Sequence, residues 1–205
     1  MREQSIGGWL ADLASRSPTP GGGAVVGLCA ATSAALVGMV TSYTMGPKWA
    51  DRATRMRQLN EEAGRLRWDA LDAAEHDAAA FAAVGAAYGL PRATAEDKAL
   101  RRTAIQRALV QATRPPARGG RLAVRLVEIA QELVDSGNPN VLSDVAVASS
   151  TARAAIETAV VNIEINRTQI KDEAEVARLN SIVKELAEAV ASAEWVMNAV
   201  REKLQ

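Results

Sequence analysis

A single carboxylate interrupts an apolar helical stripe near the middle of the chain. Between Trp49 and Tyr88 the apolar residues recur at steps of three and four, and Asp77 falls among them. Burying an unpaired charge costs several kcal/mol, so such a carboxyl is a candidate proton donor or acceptor with a raised pKa. An ion pair with an arginine of another helix is the alternative explanation. The stripe comprises Leu66, Ala70, Ala73, Asp77, Phe81, Val84 and Tyr88.

His76 precedes this aspartate but belongs to a different face of the same helix. It shares that face with Arg65, Asp69 and Asp72, at the spacing of an exposed row of ion pairs. We therefore expect His76 to be solvated and not catalytic.

Two further features have the composition of a ligand-binding wall. Prolines and glycines, including Pro20, Gly21, Gly22 and Gly23, precede a helix, where backbone N–H groups can bind a ligand oxygen. A tight turn with close helix packing is the alternative. Later in the chain a set of polar residues shares one face of a predicted helix. Such a stripe is typical of a hydrogen-bonding pocket wall or of a solvent-exposed face. This stripe comprises Asp144, Thr151, Ala155, Asn162 and Asn166.

A run of basic residues without acids lies between positions 98 and 125. It can bind an anionic tail or form a solvated surface that acids elsewhere balance, and the second is the usual case. Cys29 lies among small apolar residues and is predicted to be a core residue. The basic residues are Lys98, Arg101, Arg102, Arg107, Arg114, Arg118, Arg121 and Arg125.

The overall composition limits the class of protein. In 205 residues, 24 basic side chains balance 24 acidic ones, so no global field favours nucleic acid. One cysteine and one histidine leave too few ligands for a structural metal, so we expect none. The first residues lack a secretion signal, and we expect a cytoplasmic protein. The length predicts a single domain over residues 1–205.

The elements that must position these residues are all helical. Alanine dominates the apolar residues, aromatics make up 3%, and the 3.6-residue period recurs along the chain. We predict an all-α bundle of six to seven helices around a buried central helix of small residues. That helix, from Gly23 to Met45, carries no charge, and we expect it in the core and a two-fold interface rather than in a membrane. The predicted helices are 5–14, 23–45, 49–88, 94–113, 117–135, 141–168 and 172–203.

Four motifs together resemble the C-terminal family of formiminotransferase-cyclodeaminase, which includes free-standing methenyltetrahydrofolate cyclohydrolases. They occur in the family's order and cover nearly the whole chain. The resemblance implies an all-helical homodimer that acts on folate one-carbon units, with Asp77 at the position of the catalytic aspartate. The motifs are Pro18 to Ala24, Asp77 to Pro91, Gly137 to Asp144 and Val161 to Asn166.

The resemblance also implies roles for the other candidate residues. Asp144 would place negative charge beside a substrate cation, and Lys48 remains from a lysine-rich stretch associated with the folate glutamate tail. We expect no metal or redox cofactor beyond the tetrahydrofolate substrate itself. The expected substrate-binding residues are Pro20, Gly21, Gly22, Gly23, Lys48, Asn140, Asn162 and Asn166.

The expected reaction is hydrolysis of 5,10-methenyltetrahydrofolate to 10-formyltetrahydrofolate. We favour it because the sequence holds the cyclodeaminase-like part without a formiminotransferase domain to supply a formimino substrate. A formiminotetrahydrofolate cyclodeaminase that releases ammonia is the first alternative, since one carboxylate can serve either reaction. A helical dimer that binds a folate or a protein partner without turnover is the second.

Overall fold

The computed structural model describes residues 1–205 and contains seven α-helices, two 3-10 turns and no strand. The predicted all-α class and the predicted number of helices are therefore confirmed. The helices are α1 (Ile6–Leu13), α2 (Gly22–Tyr43), α3 (Ala53–Gly89), α4 (Ala95–Ala112), α5 (Arg114–Ser136), α6 (Leu142–Arg167) and α7 (Glu173–Lys203), and the 3-10 turns are Pro47–Trp49 and Pro139–Val141.

Local side-chain chemistry sets most of the helix ends. Thr94 caps α4 in a reciprocal capping box with Asp97, and Asp172 accepts the first free N–H groups of α7. The predicted start of α5 at residue 117 is wrong, because α5 begins at Arg114 and holds Pro115 and Pro116 in its first turn. Proline fits there since the first N–H groups of a helix have no intrahelical partner.

Helix α2 is the centre of the bundle, as predicted from its small residues. It packs against α3, α5 and α6, and its crossing with α3 is close enough that Gly27 lies against the backbone of Ala70 and the Cβ of Ala74. A side chain at Gly27 would overlap both. The larger core residues come from the surrounding helices, among them Leu126, Ile129, Leu133, Ile156, Ile163, Leu179 and Leu186.

Helix α2 is also long enough and apolar enough to span a membrane. Its most apolar window has a mean hydropathy of 2.0, and 56% of that window is buried inside the chain. The buried hydroxyls of Ser33, Thr41 and Thr44 donate to carbonyls, that of Ser33 to Ala148 and those of Thr41 and Thr44 to α2 itself. No buried side-chain polar atom lacks a partner. Such a helix is equally typical of the core of a water-exposed bundle.

Surface ion pairs account for part of the basic run. Arg118 contacts Asp69 and Asp72 of α3, Arg121 contacts Glu185 of α7, and Arg125 contacts Glu62 and Glu128. The predicted solvated surface balanced by acids is confirmed for these three arginines. The cations of α4 form no such pair.

We expect a methyl group at Gly27 to destabilise the bundle. Gly27→Ala should lower the free energy of unfolding by about 1–3 kcal/mol, because the α2–α3 crossing must widen to admit the methyl group. The measurement is urea-induced unfolding followed by circular dichroism.

Gly85→Ala is the matched control, since a Cβ at Gly85 meets no atom within 4 Å. This exposed helical glycine should tolerate alanine and gain up to about 1 kcal/mol from the reduced entropy of the unfolded chain. Equal effects at the two positions would contradict the assigned close approach.

Candidate active site

A cavity of about 260 Å³ opens where the loop before α2 meets the second half of α3. The junction of α4 with α5 and the last turns of α6 complete its walls. The wall is largely apolar, and Asp77 is its only charged residue. The lining residues are Pro18, Thr19, Gly21, Gly22, Gly23, Asp77, Phe81, Val84, Tyr88, Leu109, Ala112, Pro116, Asn162, Ile165, Asn166 and Gln169.

Asp77 is half-buried in this wall and forms no ion pair. The alternative explanation, an ion pair with an arginine of another helix, is therefore wrong. Burial raises the pKa of the Asp77 carboxyl from 3.8 to about 6, while a hydrogen bond from the backbone N–H of Ala24 acts in the opposite direction. A carboxyl with this pKa exchanges protons readily near neutral pH.

Gly23 provides the space for the Asp77 carboxylate. A Cβ at this position would overlap the carboxylate carbon and both oxygens, so no other residue fits without moving Asp77. The same absence of a side chain allows the carboxylate to reach the first turn of α2, where helix N–H groups stabilise negative charge. Gly23 was predicted to bind substrate, whereas its observed contact is with Asp77.

Two asparagines on successive turns of α6 supply hydrogen-bond acceptors to the cavity. Asn162 Nδ2 donates to the Thr158 carbonyl over 2.8 Å, and Asn166 Nδ2 donates to the Asn162 carbonyl over 2.9 Å. Because a carbonyl oxygen requires a donor, these bonds determine which way each amide faces. The Oδ1 atoms remain available to accept hydrogen bonds from a ligand.

The structure brings together most of the predicted loop and α6 residues around Asp77. Gly21, Gly22, Gly23, Asn162 and Asn166 all line the cavity. Pro20 does not, since it faces a neighbouring cleft that the N-terminal segment and Trp9 form. Their predicted roles in binding substrate stay predictions.

Three predicted site residues lie at the opposite end of the bundle. Lys48 follows the C-terminal end of α2, and its 22 residues separate the two ends by about 33 Å. Asp144 precedes Asn162 by 18 residues on α6, which corresponds to about 27 Å. Asn140 lies in the 3-10 turn before α6. Lys48, Asn140 and Asp144 therefore lie outside the Asp77 cavity of the same chain. Their expected roles at the substrate stay predictions, which require a site that two subunits share.

Two aromatic residues of the cavity were assigned to the core from the sequence. Phe81 and Tyr88 continue the Asp77 face of α3, but their side chains are 51% and 43% exposed. The stripe is buried as far as Ala73 and then opens into the cavity. Leu109, Pro116, Ile165 and Gln169 had no signal in the sequence, because their contribution depends on how the helices pack.

His76 lies outside this cavity, as predicted. Its ring is exposed and its Nδ1 lies 2.8 Å from the Asp72 carbonyl oxygen. A second cavity, of about 460 Å³, lies beside His76 and Arg118, whose charge Asp69 and Asp72 balance. No group of three or more histidine, cysteine, aspartate or glutamate residues is arranged to hold a metal ion.

The fold and cavity define a helical-bundle protein with one half-buried carboxylate at the end of its central helix. The family model described as formiminotransferase-cyclodeaminase matches residues 5–185. The chain belongs to the formiminotransferase-cyclodeaminase family, which confirms the resemblance noted in its motifs.

Individual relatives include enzymes of both expected reactions. The methenyltetrahydrofolate cyclohydrolase of Methylorubrum extorquens is 36% identical over 203 residues, which are 98% of each chain. The formimidoyltransferase-cyclodeaminase of Mus musculus is 33% identical over 83% of this chain and 32% of its own length. The solved structure of formiminotetrahydrofolate cyclodeaminase from Thermotoga maritima matches with a TM-score of 0.89 and 26% identity, covering 100% of this chain and 99% of that one.

The raised pKa of Asp77 predicts a pH-dependent effect of Asp77→Asn on stability. The folded chain retains the proton up to about pH 6, whereas the unfolded chain releases it near 3.8. The stability of the parent therefore falls as the pH rises from about 4 to about 6 and stays constant above that, and asparagine removes this loss. We expect the stability of the variant relative to the parent to increase by about 1–2 kcal/mol between pH 4 and pH 8.

Urea unfolding of both proteins at several pH values measures this difference. A difference that stays constant or decreases as the pH rises would show that the Asp77 carboxylate is stabilised, not destabilised, by its surroundings.

Proposed function

We propose that this protein hydrolyses 5,10-methenyltetrahydrofolate to 10-formyltetrahydrofolate. The observation that carries the proposal is the 36% identity to a methenyltetrahydrofolate cyclohydrolase over 98% of both chains. The cavity supports it, because one half-buried carboxyl lies in an apolar wall beside two amide acceptors. This arrangement suits a flat cationic substrate whose reaction needs a single proton-transfer group.

The reaction begins with addition of water to the cationic methenyl carbon between N5 and N10. Ionised Asp77 accepts a proton from the attacking water, and the new C–O bond neutralises the cation. The carboxyl then supplies that proton to N5 as the C–N5 bond breaks, and the hydroxyl proton is released as the formyl group forms on N10. A pKa of about 6 allows Asp77 to act in both steps near neutral pH.

Asp77 also supplies the negative charge that the substrate cation requires. The carboxylate is the only charge in the cavity wall, and partial burial strengthens its interaction with a bound cation. We had expected Asp144 to supply this charge, but its position at the other end of α6 leaves the task to Asp77 within one chain. Asn162 and Asn166 can accept hydrogen bonds from the amino and ring N–H groups of the pterin.

Formiminotetrahydrofolate cyclodeaminase activity is the second candidate. The fold match with a TM-score of 0.89 to a cyclodeaminase favours it. In that reaction N10 attacks the carbon of the protonated formimino group, Asp77 accepts the proton that N10 loses, and the carboxyl then supplies it to the nitrogen that leaves as ammonia. The same carboxyl serves both reactions, so a comparison of the two substrates is the way to separate them.

The proposal extends to the state of the protein in the cell. We expect a cytoplasmic homodimer that uses no cofactor beyond its folate substrate and binds neither nucleic acid nor membrane. The exposed side of α2, including Thr32, Ala35 and Ser42, supports a two-fold interface because small residues allow close helix contact.

Light scattering coupled to size exclusion tests this association. The expected mass at micromolar concentration is about twice the 21.7 kDa of one chain. Ala35→Glu should shift the protein towards monomer, since it places a charge in the expected interface. A monomeric mass for the unmodified protein would exclude the homodimer.

Asp77→Asn separates catalysis from binding at the proposed proton-transfer group. The amide keeps the shape of the side chain but cannot exchange a proton near neutral pH. We expect turnover of 5,10-methenyltetrahydrofolate to fall by about two to four orders of magnitude. The measurement is the loss of substrate absorbance, with 5-formiminotetrahydrofolate assayed in parallel.

His76→Ala is the control, because His76 lies next to Asp77 in sequence but outside the cavity. It should retain turnover. If Asp77→Asn keeps full activity while His76→Ala loses it, the assignment of the proton-transfer group is wrong. Folate binding without turnover of either substrate by the unmodified protein would support the non-catalytic alternative.

A further inference from the structure

Cations that no carboxylate neutralises lie next to Tyr88 and Gln169, two lining residues of the cavity. Arg101 of α4 donates from Nε and Nη2 to the Tyr88 carbonyl over 3.3 and 3.1 Å. Its guanidinium carbon also lies 5.6 Å from the centroid of the Tyr88 ring, which lines the cavity. These contacts hold the guanidinium against Tyr88, and Arg101 forms no ion pair with a carboxylate.

Arg101 differs in this respect from the arginines of the following helix. Arg118, Arg121 and Arg125 each contact one or two carboxylates at 2.5–2.8 Å, so their charges are balanced within the chain. A positioned but unpaired arginine next to an aromatic ring is free to bind an external anion.

A second cation lies close to the same cavity end. Tyr88 Oη donates to Gln169 Oε1 over 2.7 Å, which joins the end of α3 to the loop after α6. Gln106 of α4 fixes that loop at two points, donating to the Gln169 carbonyl and accepting from the Lys171 N–H at 2.9 and 2.8 Å. Lys171 is exposed and forms no ion pair. The backbone of Lys171 is therefore held against α4 at Gln106, about 7.5 Å along the helix from Arg101.

The spacing along α3 fits the length of the proposed substrate. Eleven residues separate Asp77 from Tyr88, which corresponds to about 16 Å along the helix. In tetrahydrofolate derivatives the reacting carbon and the glutamate carboxylates lie on either side of an aminobenzoyl group, roughly 10 Å apart by ordinary bond lengths. The reach of the aspartate and arginine side chains covers the remainder. Phe81 and Val84 provide an apolar wall between the two ends.

We propose that Arg101, together with Lys171, binds the glutamate carboxylates of the folate substrate. The inference rests on the proposed function for the identity of the substrate, while the cations and the cavity are observed features. It replaces Lys48, which lies at the other end of α2, as the residue that recognises the tail within one chain.

Arg101→Gln tests the subsite by comparing a substrate that has the glutamate with one that lacks it. For 5,10-methenyltetrahydrofolate we expect KM to rise by about tenfold and kcat to change little, since the tail does not take part in the chemistry. For 5,10-methenyltetrahydropteroate, which has no glutamate, the variant and the parent should have the same KM. Lys171→Gln should act in the same direction with a smaller effect.

Arg107→Gln is the matched control, because it removes the same charge from an exposed face of α4 about 120° away from Arg101. It should leave KM unchanged for both substrates. An equal rise in KM for both substrates in Arg101→Gln would mean that Arg101 only supports Tyr88, and this would overturn the proposed subsite.

Calorimetric titration with p-aminobenzoylglutamate separates this inference from the proposed function. The fragment should bind the parent and Arg107→Gln equally and bind Arg101→Gln about tenfold more weakly. Equal binding to all three proteins would exclude the subsite, even if turnover is observed. Selective loss of binding in Arg101→Gln would support the subsite even if neither one-carbon substrate is turned over.

Discussion

The contact between the Asp77 carboxylate and the backbone at Gly23 is the constraint on which the site depends. It requires that position 23 carry no side chain, because any Cβ would occupy the space of the carboxylate. It also requires α2 and α3 to lie close together, which Gly27 permits four residues further along α2. The central helix thus has small residues on this face for a reason beyond packing. They bring its N-terminal N–H groups to the one unpaired acid of the cavity.

Two opposing effects then set the chemistry of that acid. Partial burial disfavours the charged form, while the Ala24 N–H at the start of α2 favours it, and burial is the larger effect. An ion pair would have kept the Asp77 carboxylate charged at all physiological pH values. Glu62 is such a case, because a hydrogen bond from Arg125 lowers the pKa of the Glu62 carboxyl. The absence of a cation near Asp77 is therefore what makes proton exchange near neutral pH available.

Periodicity could identify part of this site because it fixes the angle of a residue around its helix. It placed Asp77 on the face that opens into the cavity, and it placed Asn162 and Asn166 together. It carries no information about which point along a helix faces the cavity. Asp144 shares the angle of Asn162 but lies about 27 Å away, so the two belong to opposite ends of the bundle.

The helices themselves were predictable, since alanine content and apolar period act locally, except that α5 begins three residues earlier than predicted because its first turn accommodates two prolines. The point along α3 at which the core gives way to the cavity was not predictable, because Phe81 and Tyr88 continue the same helical spacing as the buried residues before them. Only the packing of α4, α5 and the end of α6 around that segment determines that its aromatic face remains open.

The arrangement separates recognition from reaction along one rigid helix. In the proposed reaction Asp77 meets the atoms whose charge and bonding change, whereas the proposed subsite at Tyr88, Arg101 and the loop after α6 meets groups that remain the same throughout the reaction. Interactions of the second kind strengthen binding of substrate and transition state equally, so they affect KM more than kcat. Because α3 continues without interruption from Ala53 to Gly89, it holds the two ends at a fixed spacing. The length of the substrate can then determine which of its atoms reaches the Asp77 carboxyl.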